Sequence, residues 1–245
     1  MKIALVGYGN MGQELEKLLD EVSGHKIVSI SFKSKTDRLD KEGIKRADVA
    51  VDFTSGEIVL SNIKEILALG TKIVVGTTGW YDNFAAVKGL VEKSKGGLIY
   101  AKNFSVGANI FFKIVSYSSK LFDKYGGYDV YGLEMHHSGK KDSPSGTARK
   151  ITDLVIANFG KKKVANFEKL DRQIKEEELH FASVRGGNNF GFHEVVFDSA
   201  ADEVKLSHQA HSRRGFAQGA LLAAEFIKNK KGIYSFEQVF DKEKI

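Results

Sequence analysis

The stretch that decides the fold stands near the start of the chain: Lys2-Ile3-Ala4-Leu5-Val6-Gly7-Tyr8-Gly9-Asn10-Met11-Gly12. A short apolar run is typical of a β-strand, and the spacing G-x-G-x-x-G follows it and opens a segment with helical periodicity. In this context the glycines permit a tight turn, a close approach of pyrophosphate to the backbone, and packing of the helix on the sheet. The alternative is a glycine-rich turn without a ligand. We predict dinucleotide contacts at Gly7, Tyr8, Gly9, Asn10, Met11 and Gly12.

The segment after the next predicted strand bears on the choice of cofactor. Roughly 20 residues beyond the glycines, folds of this kind carry an acidic residue that binds the ribose 2′-hydroxyl of NAD. This chain has Phe32-Lys33-Ser34-Lys35 there, without an acid. Lys33 and Lys35 are candidates for holding a 2′-phosphate, so we expect NADPH to be used at least as well as NADH. The alternative is that both lysines are ordinary surface charges.

The first hundred residues alternate between strand and helix. Further strands are predicted at 26–32, 49–54, 72–77 and 97–101, and helices at 11–22, 57–69 and 82–95. Continuous apolar strands that alternate with helices indicate a parallel sheet covered on both faces. The predicted fold class is therefore α/β, with an N-terminal Rossmann-type, doubly wound parallel sheet.

Two more loops follow predicted strands at their carboxyl ends, where sheets of this kind bind ligands. They are Gly76-Thr77-Thr78-Gly79-Trp80 and Ala101-Lys102-Asn103-Phe104-Ser105. Small and hydroxyl side chains would let backbone groups reach the nicotinamide and its ribose. As ordinary strand-to-helix turns, the same loops would need no ligand. We predict further cofactor contacts at Gly76, Thr77, Thr78, Ala101, Lys102, Asn103 and Phe104.

After Asn103 the pattern changes. An apolar helix (107–122), a strand (128–135), a helix (148–159) and a polar link (160–178) precede three strands at 179–184, 191–197 and 203–208. The short loops between these three strands suggest antiparallel pairing. A last helix (215–228) and a short tail follow. We predict a dinucleotide-binding domain from residues 1–105 and 214–245, and an inserted α+β domain from 106–213 with an open mixed sheet, for substrate binding and oligomerisation.

The segment that carries the chemistry runs Glu134-Met135-His136-His137-Ser138-Gly139-Lys140-Lys141-Asp142-Ser143-Pro144-Ser145-Gly146-Thr147-Ala148. Proline suits the first position of a helix, and Pro144 is expected there. The N–H groups of the residues after it would form an anion site at the positive end of the helix. Two imidazoles and an ammonium nearby indicate a loop that binds a negatively charged molecule and gives it a proton. Adjacent loop histidines without a function are the alternative.

Other polar residues leave alternatives open. Strand alternation puts Glu134 on the face of His136, either to position that imidazole or in a structural role. Asp142 is expected to orient the loop or to help cap the next helix. Arg185 and Arg213 could contact substrate, cofactor or a neighbouring subunit.

The remaining histidines of the second half do not suggest a metal site. They lie in or beside predicted strands and lack helical metal-ligand spacing, so we predict that no metal is bound. These histidines are His180, His193, His208 and His211.

Composition excludes several classes. The chain of 245 residues has no cysteine, which excludes disulfides and thiolate metal sites and fits a reducing compartment. We see no signal peptide and no membrane-spanning stretch, and we expect a cytoplasmic protein. The net charge of +6 is compatible with a lysine-rich surface or with attraction of anionic small molecules. Basic residues are dispersed among acids, as at 161–163, which Glu168 and the acids at 176–178 follow, so we predict no nucleic-acid binding.

With these residues in view, the chain resembles the 4-hydroxy-tetrahydrodipicolinate (dihydrodipicolinate) reductases of the diaminopimelate and lysine pathway. The segment His-His-x-x-Lys-x-Asp-x-Pro-Ser-Gly-Thr, residues 136–147, is the most specific part of the resemblance. The other matching segments are 7–12, 51–54, 76–79, 103–107, 185–187 with 191–193, and 212–213 with 216–220. Many family members have Arg and His where this chain has Ser138 and Gly139, so this loop carries less positive charge.

The resemblance implies a reaction and roles. A hydride from nicotinamide C4 of NADPH or NADH would add to a ring carbon of a small dicarboxylate substrate, and the resulting enamine would be protonated. His136 would be the catalytic acid/base and Lys140 a proton donor. His137, Lys140, Gly146 and Thr147 would hold the substrate. The resemblance also implies a homotetramer.

Two other functions stay open. One is a different Rossmann oxidoreductase that acts on an amino or imino dicarboxylate, similar to an aspartate dehydrogenase. The other is a non-catalytic dinucleotide sensor, which would bind the cofactor without turnover. Turnover on the dipicolinate-type substrate would discriminate among the three.

Overall fold

A computed structural model describes residues 1–33 and 37–241 of the chain. Within it the chain divides into two compact units. The first comprises Met1–Val106 and Arg213–Ile245, and the second Gly107–Ser212. Each of these boundaries lies one residue from the corresponding boundary in the sequence prediction. None of the helices in the described ranges is long and apolar enough to cross a membrane.

Eleven strands and seven α-helices are found in the described part of the chain. In chain order the strands are β1 (Lys2–Val6), β2 (Lys26–Ser31), β3 (Val49–Asp52), β4 (Lys72–Val75), β5 (Gly97–Tyr100), β6 (Asp129–His136), β7 (Val164–Asn166), β8 (Glu178–Arg185), β9 (Phe192–Asp198), β10 (Glu203–Gln209) and β11 (Gly232–Ser235). The helices are α1 (Asn10–Glu21), α2 (Lys41–Lys45), α3 (Val59–Ala68), α4 (Phe84–Ser94), α5 (Val106–Tyr125), α6 (Gly146–Asn158) and α7 (Arg214–Ile227).

The first unit is a six-stranded parallel sheet in the order β11-β5-β4-β3-β1-β2. The chain runs from β1 to β2 on one side and then crosses to β3 on the other. The order reverses between β1 and β3, and this switch point is where doubly wound sheets bind ligands. The predicted fold class is confirmed.

Strand alternation explains why both faces of this sheet are covered. In β1, Ile3 and Leu5 pack with α1 and α7, whereas Ala4 and Val6 pack with α3 and α4. All four side chains are fully buried. A strand buried on both faces needs a continuous apolar run, and this is the pattern of the sequence.

Two elements of the first unit were not predicted. Helix α2 has five residues and begins where the Asp40 carboxylate accepts a hydrogen bond from the Gly43 N–H (2.9 Å). Strand β11 lies at the sheet edge beside β5, in the region predicted to be a tail. Its residues are only half-buried, so the apolar signal of a central strand is missing.

The second unit is a five-stranded mixed sheet in the order β10-β9-β6-β8-β7. Helices α5 and α6 pack on one face with Val130, Phe181, Val195 and Phe197 of the strands. The open mixed sheet agrees with the prediction, but the pairing of its strands differs in part.

Antiparallel pairing of the three late strands was right for β9 with β10 and wrong for β8. Strand β8 pairs in parallel with β6 on one side and with β7 on the other. Strand β7 lies within the segment predicted to be a polar link. The connection from β8 to β9 is short, but it crosses the end of β6. Its residues bond to residues 136–138 on the way, through Gly186 N–H to His136 O (2.9 Å) and His137 N–H to Asn189 O (2.7 Å).

One lysine of the 161–163 run is not a surface charge. The side chain of Lys162 is only 2% exposed, and its ammonium contacts the Asp129 carboxylate at 2.6 Å and donates to the Glu176 carbonyl at 3.0 Å. The ammonium therefore ties the start of β6 to the segment that precedes β8.

The close approach of α7 to residue 104 gives a test of the packing in the first unit. A Cβ at Gly219 would overlap the Phe104 carbonyl, whereas a Cβ at Gly89 in α4 would meet nothing within 4 Å. We expect Gly219→Ala to lower the free energy of unfolding by about 3 kcal/mol through overpacking. Gly89→Ala should raise it by about 0.5–1 kcal/mol through helix propensity. Urea unfolding of both variants measures the difference, and a stabilised Gly219→Ala protein would contradict the packing described.

Candidate active site

Strand β6 places the side chains of Glu134 and His136 next to each other in the interior. Glu134 and His136 lie two residues apart and point to the same face, as alternation predicts. The Glu134 side chain is fully buried and that of His136 is 8% exposed. A carboxylate and an imidazole with almost no contact to solvent therefore stand side by side below the loop.

The carboxylate of Glu134 collects hydrogen bonds from three other segments. Its Oε1 accepts the Ser145 N–H (2.9 Å), the Ser183 hydroxyl (2.8 Å) and the Arg185 guanidinium (2.8 Å). Its Oε2 lies 3.3 Å from His136 Nδ1 and 3.5 Å from His193 Nε2. Burial alone would raise the pKa of Glu134, but bonding by the histidines, Ser145 and Arg185 outweighs it and holds the pKa well below its usual range.

The helix after the loop begins two residues later than a first-position Pro144 would require. Ser145 is the N-cap of α6, and its hydroxyl accepts the Ala148 N–H at 3.1 Å. Gly146 is therefore the first helical residue, and the expectation that Pro144 holds this position is wrong. A serine hydroxyl stabilises a helix end by accepting an N–H of the first turn, and proline cannot do so.

The loop itself is closed by charged and backbone contacts. The Lys140 ammonium contacts the Asp142 carboxylate at 2.7 Å, and this bond lowers the pKa of Asp142. Arg185 donates to the Asp142 carbonyl at 2.7 Å. The Lys140 N–H bonds to the His137 carbonyl at 3.1 Å. Of the two roles considered for Asp142, the structure shows the contacts of a residue that orients the loop, since the cap is Ser145.

Three of the predicted substrate ligands lie in the turn before α6 and at the start of that helix. His137 and Lys140 belong to one closed turn, and Gly146 opens the first turn of α6. A Cβ at Gly146 would meet nothing within 4 Å, so there is space in front of this end. Thr147 follows in the same turn and is half-buried. Positive charge and helix N–H groups make this a favourable place for a carboxylate.

Sequence reasoning missed His193 and left Arg185 without a role. Both face Glu134 because β9 and β8 flank β6, with His193 opposite Glu134 and Arg185 opposite His136 in register. Possible ligand atoms of Glu134, His136 and His193 lie within 4.8 Å of one another. The absence of a metal stays a prediction. The only sequence signal for this cluster was the alternation within each strand.

The glycine turn of the first unit has the geometry that a dinucleotide requires. Gly7 has φ +97°, and a Cβ there would lie 2.5 Å from the Phe53 carbonyl oxygen. A Cβ at Gly12 would overlap the Gly7 carbonyl, whereas one at Gly9 would point into open space. Gly7 and Gly12 thus serve backbone packing, and Gly9 leaves the start of α1 uncovered. These residues fit a bound pyrophosphate.

A cavity of about 390 Å³ lies at the carboxyl ends of β1, β3 and β4. Six of the predicted cofactor residues line it: Gly9, Asn10, Met11, Gly76, Thr77 and Thr78. The other lining residues are Phe53, Thr54, Ser55, Gly56 and Arg213. The structure thus places Arg213 beside the glycine turn, whereas Arg185 belongs to the loop of the second unit.

Other predicted cofactor residues do not line this cavity. Ala101 and Phe104 are buried in the core of the first unit, and Asn103 accepts the Ser105 N–H at 2.8 Å. The Lys102 ammonium lies 5.1 Å from the centroid of the Tyr81 ring, and that of Lys33 lies 5.0 Å from the Tyr8 ring. Lys33 is therefore next to the glycine turn. Lys35 lies outside the described residues.

Beneath the cavity lies Asp52, a fully buried carboxylate at the end of β3. Its Oδ1 accepts the Thr54 hydroxyl and the Thr77 hydroxyl, both at 2.7 Å, and its Oδ2 accepts the Asn62 amide at 2.9 Å. Burial raises the pKa of Asp52, and the bonds from Thr77 and Thr54 oppose this effect. Asp52 thereby joins the two loops, 53–56 and 76–78, that form opposite walls of the cavity.

The comparisons with known proteins agree across both units. The family described as dihydrodipicolinate reductase, N-terminus, matches residues 1–104, and the family described as dihydrodipicolinate reductase, C-terminus, matches residues 107–240. The chain is 36% identical to the 4-hydroxy-tetrahydrodipicolinate reductase of Christiangramia forsetii, over 98% of this chain and 97% of the relative. It is 35% identical to the enzyme of that name from Methanocaldococcus jannaschii, over 85% and 76%.

A solved structure shows the same fold. Dipicolinate-bound dihydrodipicolinate reductase from Paenisporosarcina sp. TG-14 superposes with a TM-score of 0.79 at 22% identity, over 97% of this chain and 98% of that chain. With both halves matched by family models and with full-length relatives above 30% identity, the chain belongs to the dihydrodipicolinate reductase family.

Proposed function

We propose that the loop 136–147 performs the proton transfer and substrate binding of a 4-hydroxy-tetrahydrodipicolinate reductase. The chain is an NAD(P)H-dependent oxidoreductase of diaminopimelate and lysine biosynthesis, as its relatives are named. The observation that carries the assignment to this loop is the pairing of a buried imidazole, His136, with a cationic turn and a helix end on the same segment.

His136 and Lys140 are the proton donors of the reaction. When bound, the dinucleotide would supply a hydride from nicotinamide C4 to a ring carbon of the substrate, after the 4-hydroxyl group has left as water. The addition leaves an enamine, and His136 gives a proton to its ring carbon, with Lys140 as a second donor. The pairing of Lys140 with Asp142 at 2.7 Å favours a charged ammonium beside the site. General acids placed in this way contribute about 10²–10⁴-fold to a rate.

The substrate is a small dicarboxylate, and its charges call for separate anchors. Gly146 and Thr147 bind one carboxylate at the start of α6, where the helix dipole favours negative charge. His137 and Lys140, which belong to the closed turn, also bind the substrate. The dipicolinate-bound relative supports this substrate class. Because Ser138 and Gly139 are exposed and uncharged, Lys140 is the principal cation of the turn.

The dinucleotide binds in the cavity of the first unit. Backbone groups of Gly9, Asn10 and Met11 hold the pyrophosphate, and Gly76, Thr77 and Thr78 approach the nicotinamide end. Gly7, Tyr8, Gly12 and the segment 101–104 shape this surface. Lys33 holds the 2′-phosphate of NADPH, and its position beside Tyr8 supports this role.

We also propose a cytoplasmic homotetramer. Helices α5 and α6 cover one face of the second unit's sheet. On the other face, Tyr131 and Val184 are 38% and 49% exposed. An open sheet face with apolar side chains favours association with further copies of the chain.

Turnover of the proposed substrate is tested in a coupled assay. Aspartate semialdehyde and pyruvate are supplied with the synthase that precedes this step, and loss of NADPH is followed. Turnover supports the reductase. Binding of NADPH without turnover would support a sensor, and turnover only with an amino dicarboxylate would support a dehydrogenase.

Replacement of the proton donors should stop the reaction but leave cofactor binding intact. We expect His136→Gln and Lys140→Ala to lower kcat by about 10²–10⁴-fold, because each removes a proton donor. Dinucleotide affinity, measured by fluorescence titration, should stay within about twofold of the unchanged protein. His211→Gln and Lys150→Ala change exposed residues of the same unit and serve as controls. Full activity of both loop variants would show that the assigned roles are wrong.

Removal of the Lys33 charge should affect one cofactor selectively. We expect Lys33→Ala to raise KM for NADPH about tenfold, which corresponds to about 1.4 kcal/mol for a lost charge–phosphate contact, with little change for NADH. Lys26→Ala changes an exposed lysine at the start of β2, the strand that precedes Lys33, and is the matched control. Equal effects on both cofactors, or none on NADPH, would exclude a 2′-phosphate contact by Lys33.

A further inference from the structure

Two buried polar atoms, one of Glu134 and one of His136, lie next to each other. Neither Oε2 of Glu134 nor Nδ1 of His136 forms a regular hydrogen bond to any described residue, and both are shielded from solvent. They lie 3.3 Å apart. An unpaired buried polar atom is costly, so the attraction between these two offsets the burial of both. Contacts of this kind in a free enzyme are often long and tighten when the substrate binds.

The other nitrogen of the His136 ring faces a position without a side chain. Gly191 has φ +148°, and a Cβ built on it would lie 3.0 Å from His136 Nε2. The backbone of residue 191 is fixed by its carbonyl, which accepts the Ala210 N–H at 2.9 Å, and by its N–H, which donates to Asn189 Oδ1 at 2.9 Å. The ring thus has one nitrogen against a carboxylate and one beside a glycine that leaves room.

The charged groups around this pair come from every neighbouring segment. Arg185 reaches Glu134 from β8, His193 from β9, and Lys140 with its partner Asp142 belongs to the loop. Burial lowers the pKa of His193, contact with Glu134 opposes this effect, and the neighbouring His136 and Lys140 add to it. Burial also lowers the pKa of His208, which lies behind His193 on β10. The net effect is a carboxylate that stays ionised beside His136.

We propose that Glu134 is the positioning residue of the proton donor. Its Oε2 receives the Nδ1–H of His136, which holds the ring in one orientation, keeps Nε2 as the nitrogen that delivers the proton, and stabilises the imidazolium before transfer. This inference rests on the proposed role of His136.

The same carboxylate also fixes the helix end that anchors the substrate. Oε1 accepts the Ser145 N–H, and Ser145 caps α6 immediately before Gly146. Arg185 donates to both Oε1 and the Asp142 carbonyl, and it thereby joins Glu134 to the loop. The Glu134 carboxylate therefore holds both the proton donor, His136, and the helix end that anchors the substrate. Oε1 keeps acceptor capacity when the side chain becomes an amide, whereas the charge beside Nδ1 is lost.

The unchanged protein gives a first test that needs no substitution. Nitrogen NMR of the neutral His136 ring, assigned by its loss in His136→Gln, reports which nitrogen carries the proton. We expect Nδ1 to be protonated and Nε2 to be bare. A neutral ring that carries its proton on Nε2 would overturn the proposal, because Glu134 would then face an unprotonated nitrogen.

The second test compares Glu134→Gln with Glu178→Gln. Glu178 is a matched control, because it is also a largely buried carboxylate of the second unit that binds an arginine, Arg172, and a backbone N–H, but it contacts no histidine in the described structure. For Glu134→Gln we expect kcat to fall about 10²-fold, with KM for the substrate changed about threefold at most. For Glu178→Gln we expect kcat within about twofold of the unchanged protein.

The pH dependence gives the sign of the effect. The protonated imidazole is the active form, so kcat falls as pH rises through the titration of the donor. Loss of the Glu134 charge destabilises the imidazolium. In Glu134→Gln the NMR midpoint of His136 and the alkaline limb of the kcat profile should both move to lower pH, because the negative charge beside the ring is lost. Glu178→Gln should move neither.

Three outcomes separate the inference from the function on which it rests. Parallel shifts of the NMR midpoint and of the kcat profile support both. An unchanged NMR midpoint in Glu134→Gln overturns the positioning role of Glu134. A shifted NMR midpoint with an unchanged kcat profile supports the contact of Glu134 with His136, but it shows that His136 is not the proton donor of the reaction.

Discussion

A carboxylate removed from water must be surrounded by hydrogen-bond donors, and each unit of this protein fixes its functional loops by that requirement. In the first unit Asp52 is the buried acid, and its donors come from the loops after β3 and β4. In the second unit Glu134 is the buried acid, with donors from Ser145 and from β8, and with His193 of β9 close to its second oxygen. These contacts depend on the observed positions of the segments.

The two carboxylates differ in their donors, and their pKa values move in opposite directions. Asp52 is held by neutral hydroxyl and amide groups, and burial raises its pKa. Burial also acts on Glu134, but the two histidines, the Ser145 N–H and the Arg185 guanidinium lower its pKa. Neutral donors suit a structural junction between two loops. A carboxylate that stays ionised can stabilise a cation beside it.

The sequence predicted what depends on local periodicity and failed where partners are distant. Continuous apolar strands identified the parallel sheet, and alternation placed Glu134 beside His136. Short or half-buried elements such as α2 and β11 left too weak a pattern. Pro144 was assigned two positions too far into the helix, because the Ser145 hydroxyl is the cap and Pro144 precedes it. The contacts of Arg185 and His193 depend on which strands neighbour β6, and no local pattern contains that information.

The mixed strand order of the second unit is what brings Arg185 and His193 to Glu134. If β8 and β9 formed a simple hairpin beside β6, only one of them would adjoin Glu134. Instead β6 lies between them, so Arg185 arrives from one side and His193 from the other. The connection between β8 and β9 must then pass over the end of β6. There it bonds to residues 136–138 and places Gly191 beside Nε2 of the His136 ring. The topology that sequence spacing misjudged is therefore the one that gives the imidazole a carboxylate at one nitrogen and a glycine, with no side chain, at the other.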